Sequence, residues 1–387
     1  MKNSKEMNGV DGIGVYLHIP FCERKCLYCD FNSGSASEAV KKTYIESLVK
    51  EVHMYRAIFA SRKVKTLFIG GGTPSSVSPS LFEPLLQALH EVIDFDGVEE
   101  FSIEANPGTV TAEKLQLYKK YGINRISFGV QSFNDKLLRR IGRLHNASEA
   151  VQSVKLAQRI GFDNINLDLM HNLPDMQPED LYNSIRQAAQ LGVQHISLYS
   201  LILEEGTPLY EEYEASGLSL MAEDKERETF HKGMAMLEDY GYGRYEVSNF
   251  ALAGKQCKHN LIYWEVREYI GLGLGAHGMY DHVRYSNVME TGVYVAQIGA
   301  GNFPVEERQA LSKEDEAFES IMLGLRLKSG ICLATYEARY GLDLMTTYGP
   351  VIKKQIELGT LELSEGCLRL TDYGHDISNA VIVEFMA

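Results

Sequence analysis

The sequence predicts an α/β fold in which six strand-and-helix units run in series, followed by a smaller α+β unit. Three observations carry this expectation. Short β-branched or aromatic runs recur six times in the first two-thirds of the 387-residue chain, a helical pattern follows each, and the rhythm stops near Asn249. Strands that alternate with helices pair in parallel, because a parallel neighbour is reached only by a crossover. A partial (β/α)6 barrel and an open doubly wound sheet both satisfy this patterning. Polar residues gathered at the strand ends would favour the mouth of a barrel.

The expected strands are Val15–Ile19 (VYLHI), Thr66–Ile69, Phe101–Glu104, Arg125–Val130 (RISFGV), Ile165–Leu169 and His195–Leu203. Their near-continuous apolar character suits strands buried on both faces. The clearest helix runs from about Thr43 to Ala60, with Ile45, Leu48, Val49 and Val52 on one face. The next opens at SPSLFEPLL, with Ser78 as N-cap and Pro79 at the first helical position, where a missing N–H costs nothing. Further helices are expected from Thr111, Ser148 and Pro178. Past Asn249 the chain turns rich in glycine and aromatics, then alternates helical runs with GTLELSE and CLRLTD. The expected organisation is a barrel over residues 1–250, a connecting segment over 251–310 and a small α+β domain over 311–387.

Composition removes several function classes. Lys and Arg total 38 against 52 Asp and Glu, a formal charge of −14 that opposes non-specific attraction to phosphate backbones, so no nucleic-acid partner is expected. No apolar stretch approaches the roughly 18 residues that span a bilayer. The opening MKNSKEMNGVDG has no apolar h-region. A soluble cytoplasmic chain is therefore expected, with only peripheral membrane contact left open. Six cysteines are too few for a disulfide scaffold. Arg139, Arg140, Arg143 and His145 form the one basic cluster, which reads as a loop.

Three of the six cysteines fall in YLHIPFCERKCLYCDF, where Cys22, Cys26 and Cys29 have C-x3-C-x2-C spacing. Thiols this close in a reducing compartment point to metal rather than to disulfides. No fourth Cys or spaced His completes a zinc site, and His18 reads as a packed strand residue. Three thiolates with an open position suit an iron–sulfur cluster with one differentiated iron. Glu104, Gln131 and Asp168 fall at or near the ends of the third, fourth and fifth strands, where parallel strands bring ligand groups together. GGGTPS at 70–75 ends the second strand, and its glycines allow close backbone approach to a ligand.

With its aromatic at position 28, the cysteine motif resembles that of the radical S-adenosylmethionine (SAM) enzymes. YLHIPFC, GGGTPS, EANPGT at 104–109, RISFGVQSF at 125–133 and HNLIYW at 259–264 narrow the resemblance to the oxygen-independent coproporphyrinogen III oxidase-like group. The resemblance implies a radical-SAM partial barrel in which Cys22, Cys26 and Cys29 hold a [4Fe-4S] cluster. SAM would chelate the fourth iron, and one electron would cleave its sulfonium to a 5′-deoxyadenosyl radical. It further implies that Glu104 and Arg143 contact the methionyl part of SAM and that Gln131 and Asp168 lie near its sugar and carboxylate. Gly71, Gly72 and Thr73 would aim backbone groups at its ammonium and carboxylate, and Tyr16 and Tyr28 would pack on cluster and SAM.

Within that group, the true decarboxylases carry one more cysteine two residues after the third, where this chain has Phe31, and they have a longer N-terminal segment. CDF after the cluster and HNxxYW instead resemble the haem chaperone branch. That resemblance implies haem as a ligand, a client haem protein and an electron donor as partners. His259 is the candidate haem contact, with Cys257 second; the competing reading is that His259 stitches a junction by hydrogen bonds. A coproporphyrinogen decarboxylase, a radical SAM methyltransferase and a plain iron–sulfur carrier are the alternatives. INLDLMHNLPDMQ has His171-Asn172 where the group commonly shows Tyr-Gly, and Asp175 where Gly is usual, so the loop after the fifth strand departs from the pattern. GLGLGAHG matches a dinucleotide fingerprint formally, but it reads as a mobile loop over the barrel mouth. Cys332 and Cys367 are expected as buried thiols.

Overall fold

A computed structural model describes residues 12–386, so the opening MKNSKEMNGVD lies outside the described residues. Six parallel strands, β1 (Ile13–Ile19), β2 (Val64–Gly71), β3 (Glu100–Ala105), β4 (Arg125–Gln131), β5 (Ile165–His171) and β6 (His195–Ser200), lie side by side in sequence order. Every expected strand is present, most of them a residue or two longer, while the sixth ends at Ser200 and leaves 201–203 outside it. Two short strands, β7 (Gly243–Arg244) and β8 (Asn249–Ala251), extend the β6 edge antiparallel. On the other edge, β9 (Tyr269–Leu272) pairs parallel with β1, and β10 (His277–Tyr280), β11 (Val283–Asn287) and β12 (Val305–Ala310) follow antiparallel. The stretch 251–310 thus contributes strands to the same twelve-stranded sheet. Among the described residues no ladder joins β1 to β6, yet the sheet is curved: Tyr199 on β6 reaches past β5 to donate to Gln131 Oε1 on β4 at 2.8 Å.

The parallel strands are largely buried on both faces, as expected, but the two faces differ in kind, one apolar and one polar. Val15, Leu17, Leu67, Ile69, Phe101, Ile103, Ile126, Phe128, Leu167, Leu169, Ile196 and Leu198 form the helix-packed face, all fully buried. The alternate positions carry Tyr16, His18, Thr66, Glu100, Ser102, Glu104, Arg125, Ser127, Asn166, Asp168, His195 and Ser197, and line the concave face. Such a polar interior holds only where its groups are paired. Asn166 does much of the pairing: its amide donates to Ser127 and Asp168, and its carbonyl meets His195 Nδ1 at 2.5 Å.

Helix boundaries follow their caps. The first helix is Glu38–Met54, opened by Ser37, whose side chain accepts from Val40 N; a short helix Arg56–Ser61 follows a break at Tyr55. Ser78 sits at the cap of Pro79–Val92 without making the cap bond. Helices from Ala112, Ala147 and Pro178 match expectation, and the second is opened by an Asn146–Glu149 capping box. The basic cluster is a correction: Arg139 and Arg140 end the helix Asp135–Arg140, and Arg140 pairs bidentately with Glu212. A separate apolar cluster, which includes Ile321, Leu325, Tyr336, Ile352, Leu368 and Phe385, packs around the small antiparallel sheet of β13 (Ile331–Cys332), β14 (Leu361–Ser364) and β15 (Cys367–Leu370).

Candidate functional site

β1 ends at Ile19, and Pro20 opens a loop tied back on itself by Cys22 N to Gly34 O at 2.9 Å and Gly34 N to Pro20 O at 3.0 Å. His18 anchors this loop, its Nδ1 meeting Tyr16 OH at 3.0 Å and its Nε2 Asn32 O at 3.2 Å, so its reading as a packed strand residue is right but incomplete. All three thiols remain partly accessible. Burial pushes the Cys29 thiol up, and the charges of Cys26 and Cys22 push the same way. That mutual repulsion is relieved by a cationic centre among them, so the donor set fits a cluster of irons. No three His, Cys, Asp or Glu side chains among the described residues stand close enough to share a single ion.

The glycine loop behaves differently from expectation. Gly71 N donates to Glu104 Oε2 at 3.0 Å, Gly72 N to Ile19 O at 2.8 Å and Thr73 N to Phe21 O at 2.7 Å. The amides expected to reach a ligand carboxylate are therefore spent within the protein. Glycine is required at 71 by its φ of 110° and by the His18 ring, which a Cβ would approach to 2.5 Å; at 72 the backbone of Phe21 fills the same space. What the loop does is hold the cysteine segment against β2.

The carboxylates and Arg143 converge at the mouth. Burial, the Asp168 charge beside it and only partial compensation from Gly71 N–H hold the Glu104 carboxyl up at about 8. Asp168 is raised by burial, against hydrogen bonds from Ser197 and Asn166 and the charges of Arg125 and Arg143. Arg143 is nine-tenths buried; its Nη1 donates to Cys26 Sγ at 3.4 Å and its Nη2 to Asn106 Oδ1 at 2.6 Å and to Gly129 O. Its Nε has no partner although buried. Tyr28 is pushed up by burial and feels Arg143, Cys26, Cys29 and Asp168. Tyr16 stacks on Phe68 with Glu104 nearby. Gln131, buried with φ 66°, takes the Tyr199 hydroxyl. An incompletely partnered guanidinium, two partly buried carboxylates and three thiols thus gather at the mouth, an arrangement that fits a zwitterionic ligand beside an iron–sulfur cluster.

Asn106 is the residue overlooked in the sequence. It links Arg143 to Thr73, donating to Thr73 Oγ1 at 2.8 Å, and with Cys26, Thr73 and Arg143 it lines a cavity of about 170 Å³. Its one signal is its place in EANPGT.

His259 lies elsewhere. The helix Lys258–Trp264 packs at the opposite, N-terminal end of the strands, where Glu100, the first residue of β3, accepts from Lys258 N, His259 N and Cys257 Sγ and so caps it. His259 Nδ1 meets Thr66 Oγ1 at 2.7 Å, its Nε2 meets Tyr263 OH at 2.7 Å, and its ring stacks on Phe68. With both nitrogens engaged and the ring 1% exposed, it has no lone pair to offer haem iron. These hydrogen bonds agree with the junction-stitching reading of His259, and Cys257 is fully buried with its thiol pushed up to about 12.

Three smaller features take their place in the fold. GLGLGAHG joins the end of β9 to the start of β10, with residues 273–276 as a turn between them whose amides are tied down by Gly273 N to Glu51 Oε2 and Leu274 N to Tyr44 OH. Asn172 and Asp175 stand at φ 57° and 66°, left-handed positions where the family's glycines would be unstrained. Cys332 is exposed and Cys367 partly so, directly opposite each other on β13 and β15.

Comparison with known proteins agrees with this geometry. Residues 16–211 match the radical SAM superfamily model, and residues 311–376 match the HemN C-terminal domain. The chain is 38% identical to "Heme chaperone HemW" of Bacillus subtilis over 96% of its length and 98% of that protein's. It is 35% identical to the Escherichia coli protein of the same name, covering 97% and 98%. Bovine "Radical S-adenosyl methionine domain-containing protein 1, mitochondrial" is 30% identical, covering 98% of this chain and 88% of that one. Coproporphyrinogen III oxidase (HemN) from Escherichia coli, a radical SAM enzyme, superposes with a TM-score of 0.84 at 22% identity, covering 97% and 90%; this likeness speaks to the fold.

Proposed function

The chain belongs to the radical SAM superfamily and, within it, to the haem chaperone HemW family, and on that premise we propose that it binds haem and hands it to a client haem protein. The observation that carries the proposal is near full-length likeness to proteins named as haem chaperones. Phe31 adds to it, lying 62% exposed on the cysteine loop where a decarboxylase has its extra thiol.

Cys22, Cys26 and Cys29 hold the [4Fe-4S] cluster in this reading. Arg143 beside Cys26, with Asn106 fixing its guanidinium, supplies positive charge for a carboxylate. Glu104, neutral in the ligand-free protein, would ionise against a bound ammonium, and Asp168 would accept from ribose hydroxyls, with Tyr16, Tyr28 and Gln131 as walls and the loop at Gly71, Gly72 and Thr73 fixing the distance from β2 to the thiols. Cluster and SAM together supply, when bound, one-electron cleavage chemistry; the chain itself positions both and shields them. An electron donor, a client and a cytoplasmic setting complete the proposal, since free cluster-binding thiols persist in reducing compartments. No helix among the described residues is long and apolar enough to cross a membrane.

Anaerobic reconstitution tests it. The expected outcome is a [4Fe-4S] signal altered by SAM, stoichiometric haem binding and no product from coproporphyrinogen III. Turnover of coproporphyrinogen would replace the chaperone by a decarboxylase, and a protein that binds no haem would end the proposal.

A further inference from the structure

A second cavity, about 970 Å³, shares no lining residue with the one beside the thiols. It lies between the β10–β11 hairpin, Trp264 at the end of its helix and the C-terminal unit. Its volume is at the upper end of the roughly 300–1,000 Å³ usual for ligand sites. Trp264, the chain's single tryptophan, and Met279 give it apolar surface, and Lys313, whose amine has no partner among the described residues, stands at its edge.

His282 is the unusual element. Tyr280 and Val283 pair directly, so Asp281 and His282 make a two-residue hairpin turn, with φ 52° and 60°. Such a turn favours Asn and Gly at both positions, and a histidine is held there against that preference. The side chain is 62% exposed and faces the cavity. Its Nδ1 lies 2.6 Å from Oε1 of Glu316, whose side chain is only 7% exposed. A carboxylate accepting a hydrogen bond from Nδ1–H fixes the tautomer and orients the ring, leaving Nε2 with its lone pair in the cavity; Nε2 has no partner among the described residues. This is the arrangement by which proteins prepare a histidine for a metal. It contrasts with His259, both of whose nitrogens are used.

We propose that this cleft is the haem-carrying site, with His282 Nε2 as axial ligand to the iron and Glu316 as its positioning residue. The inference rests on the reading that the protein carries haem. The Nε2 lone pair forms one coordinate bond, displacing a water from iron, and no electron is transferred. The macrocycle lies against Trp264 and Met279, and a propionate reaches Lys313. Loading is thereby separated from the cluster, at a mouth open to a partner.

Ferric haem titrated into the full chain and followed by Soret absorption and electron paramagnetic resonance tests this. Asn or Gly at 282 suits the turn, so His282→Asn and His282→Gly should fold while binding at least tenfold more weakly and losing the nitrogen-ligand signature. Added imidazole should restore the spectrum of His282→Gly, which a merely structural role would not allow. Glu316→Gln should keep binding but shift the Soret band. If the wild type binds haem and both His282 variants match it, the cleft assignment is wrong while the carrier reading stands. The assignment is equally wrong if replacing another side chain of the cleft able to ligate iron, by Cys332→Ser, Met279→Leu, Tyr336→Phe or Tyr340→Phe, abolishes binding and His282→Asn does not. If the wild type binds no haem, both readings fall.

Discussion

Replacing Glu104 by Gln should stabilise the SAM-free protein, by an amount that grows with pH. The carboxyl is enclosed by protein and sits beside Asp168, with one backbone donor at 3.0 Å, and its pKa rises from 4.5 to about 8. A raised acid contributes its full stability below pH 4.5. Between 4.5 and 8 the unfolded chain releases the proton and the folded one keeps it, so stability falls through this window. At 1.36 kcal/mol per unit, the loss at pH 7 is about 3 kcal/mol, rising to about 5 above pH 8 and amounting to less than about 1 at pH 5. Gln retains an acceptor for Gly71 N without charge. Urea unfolding of wild type and Glu104→Gln at pH 5, 7 and 9 reads the difference, from which the C-terminal unit and the buried histidines cancel. Infrared detection of a protonated carboxyl at pH 7, absent in the variant, checks the assignment. A stability gap that stays flat from pH 5 to 9 would refute the reasoning.

Three further outcomes are expected. Cys22→Ala, Cys26→Ala and Cys29→Ala should each abolish [4Fe-4S] absorbance while leaving the far-ultraviolet circular dichroism unchanged, because none is a core residue. Gly71→Ala should cost about 2–3 kcal/mol and lower the yield of cluster reconstitution, since its Cβ drives into His18, which anchors the cysteine loop. His259→Ala should lower stability by about 2–3 kcal/mol by leaving the Thr66 and Tyr263 hydroxyls unpaired, while haem affinity, read by Soret titration, stays near wild type.

Much of the α/β order was legible because β-branched runs and helix caps are local signals; the Asn146–Glu149 box and Pro178 mark their helices directly. The two-sided character of the strands was also written in the alternation of INLDL and RISFG, but the apolar residues between the polar ones made the runs read as uniform. Thiol spacing pointed to the cluster because all three cysteines sit in one loop. What sequence could not supply was the partner of each polar group. His259 is flagged by its motif, yet only the fold places it at the far end of the strands with both nitrogens occupied. The glycines of residues 70–72 read as a ligand cradle, yet their neighbours turn out to be Glu104, His18 and Phe21. Asn106 is marked only by lying in EANPGT, and His282 by nothing local; the role of each depends on residues distant in sequence.

The contrast between the two faces of the sheet sets two rules of substitution along a single strand. On β5, Leu167 can exchange for another aliphatic side chain at the cost of a methyl group's fit, about 1 kcal/mol, because its neighbours demand only volume. One residue earlier, Asn166 has no substitute of equal shape that serves Ser127, Asp168 and His195 at once. Drift in such a chain is therefore free to proceed on every second residue and is arrested on those between, so the period of tolerated change along a strand reports which side faces the chemistry.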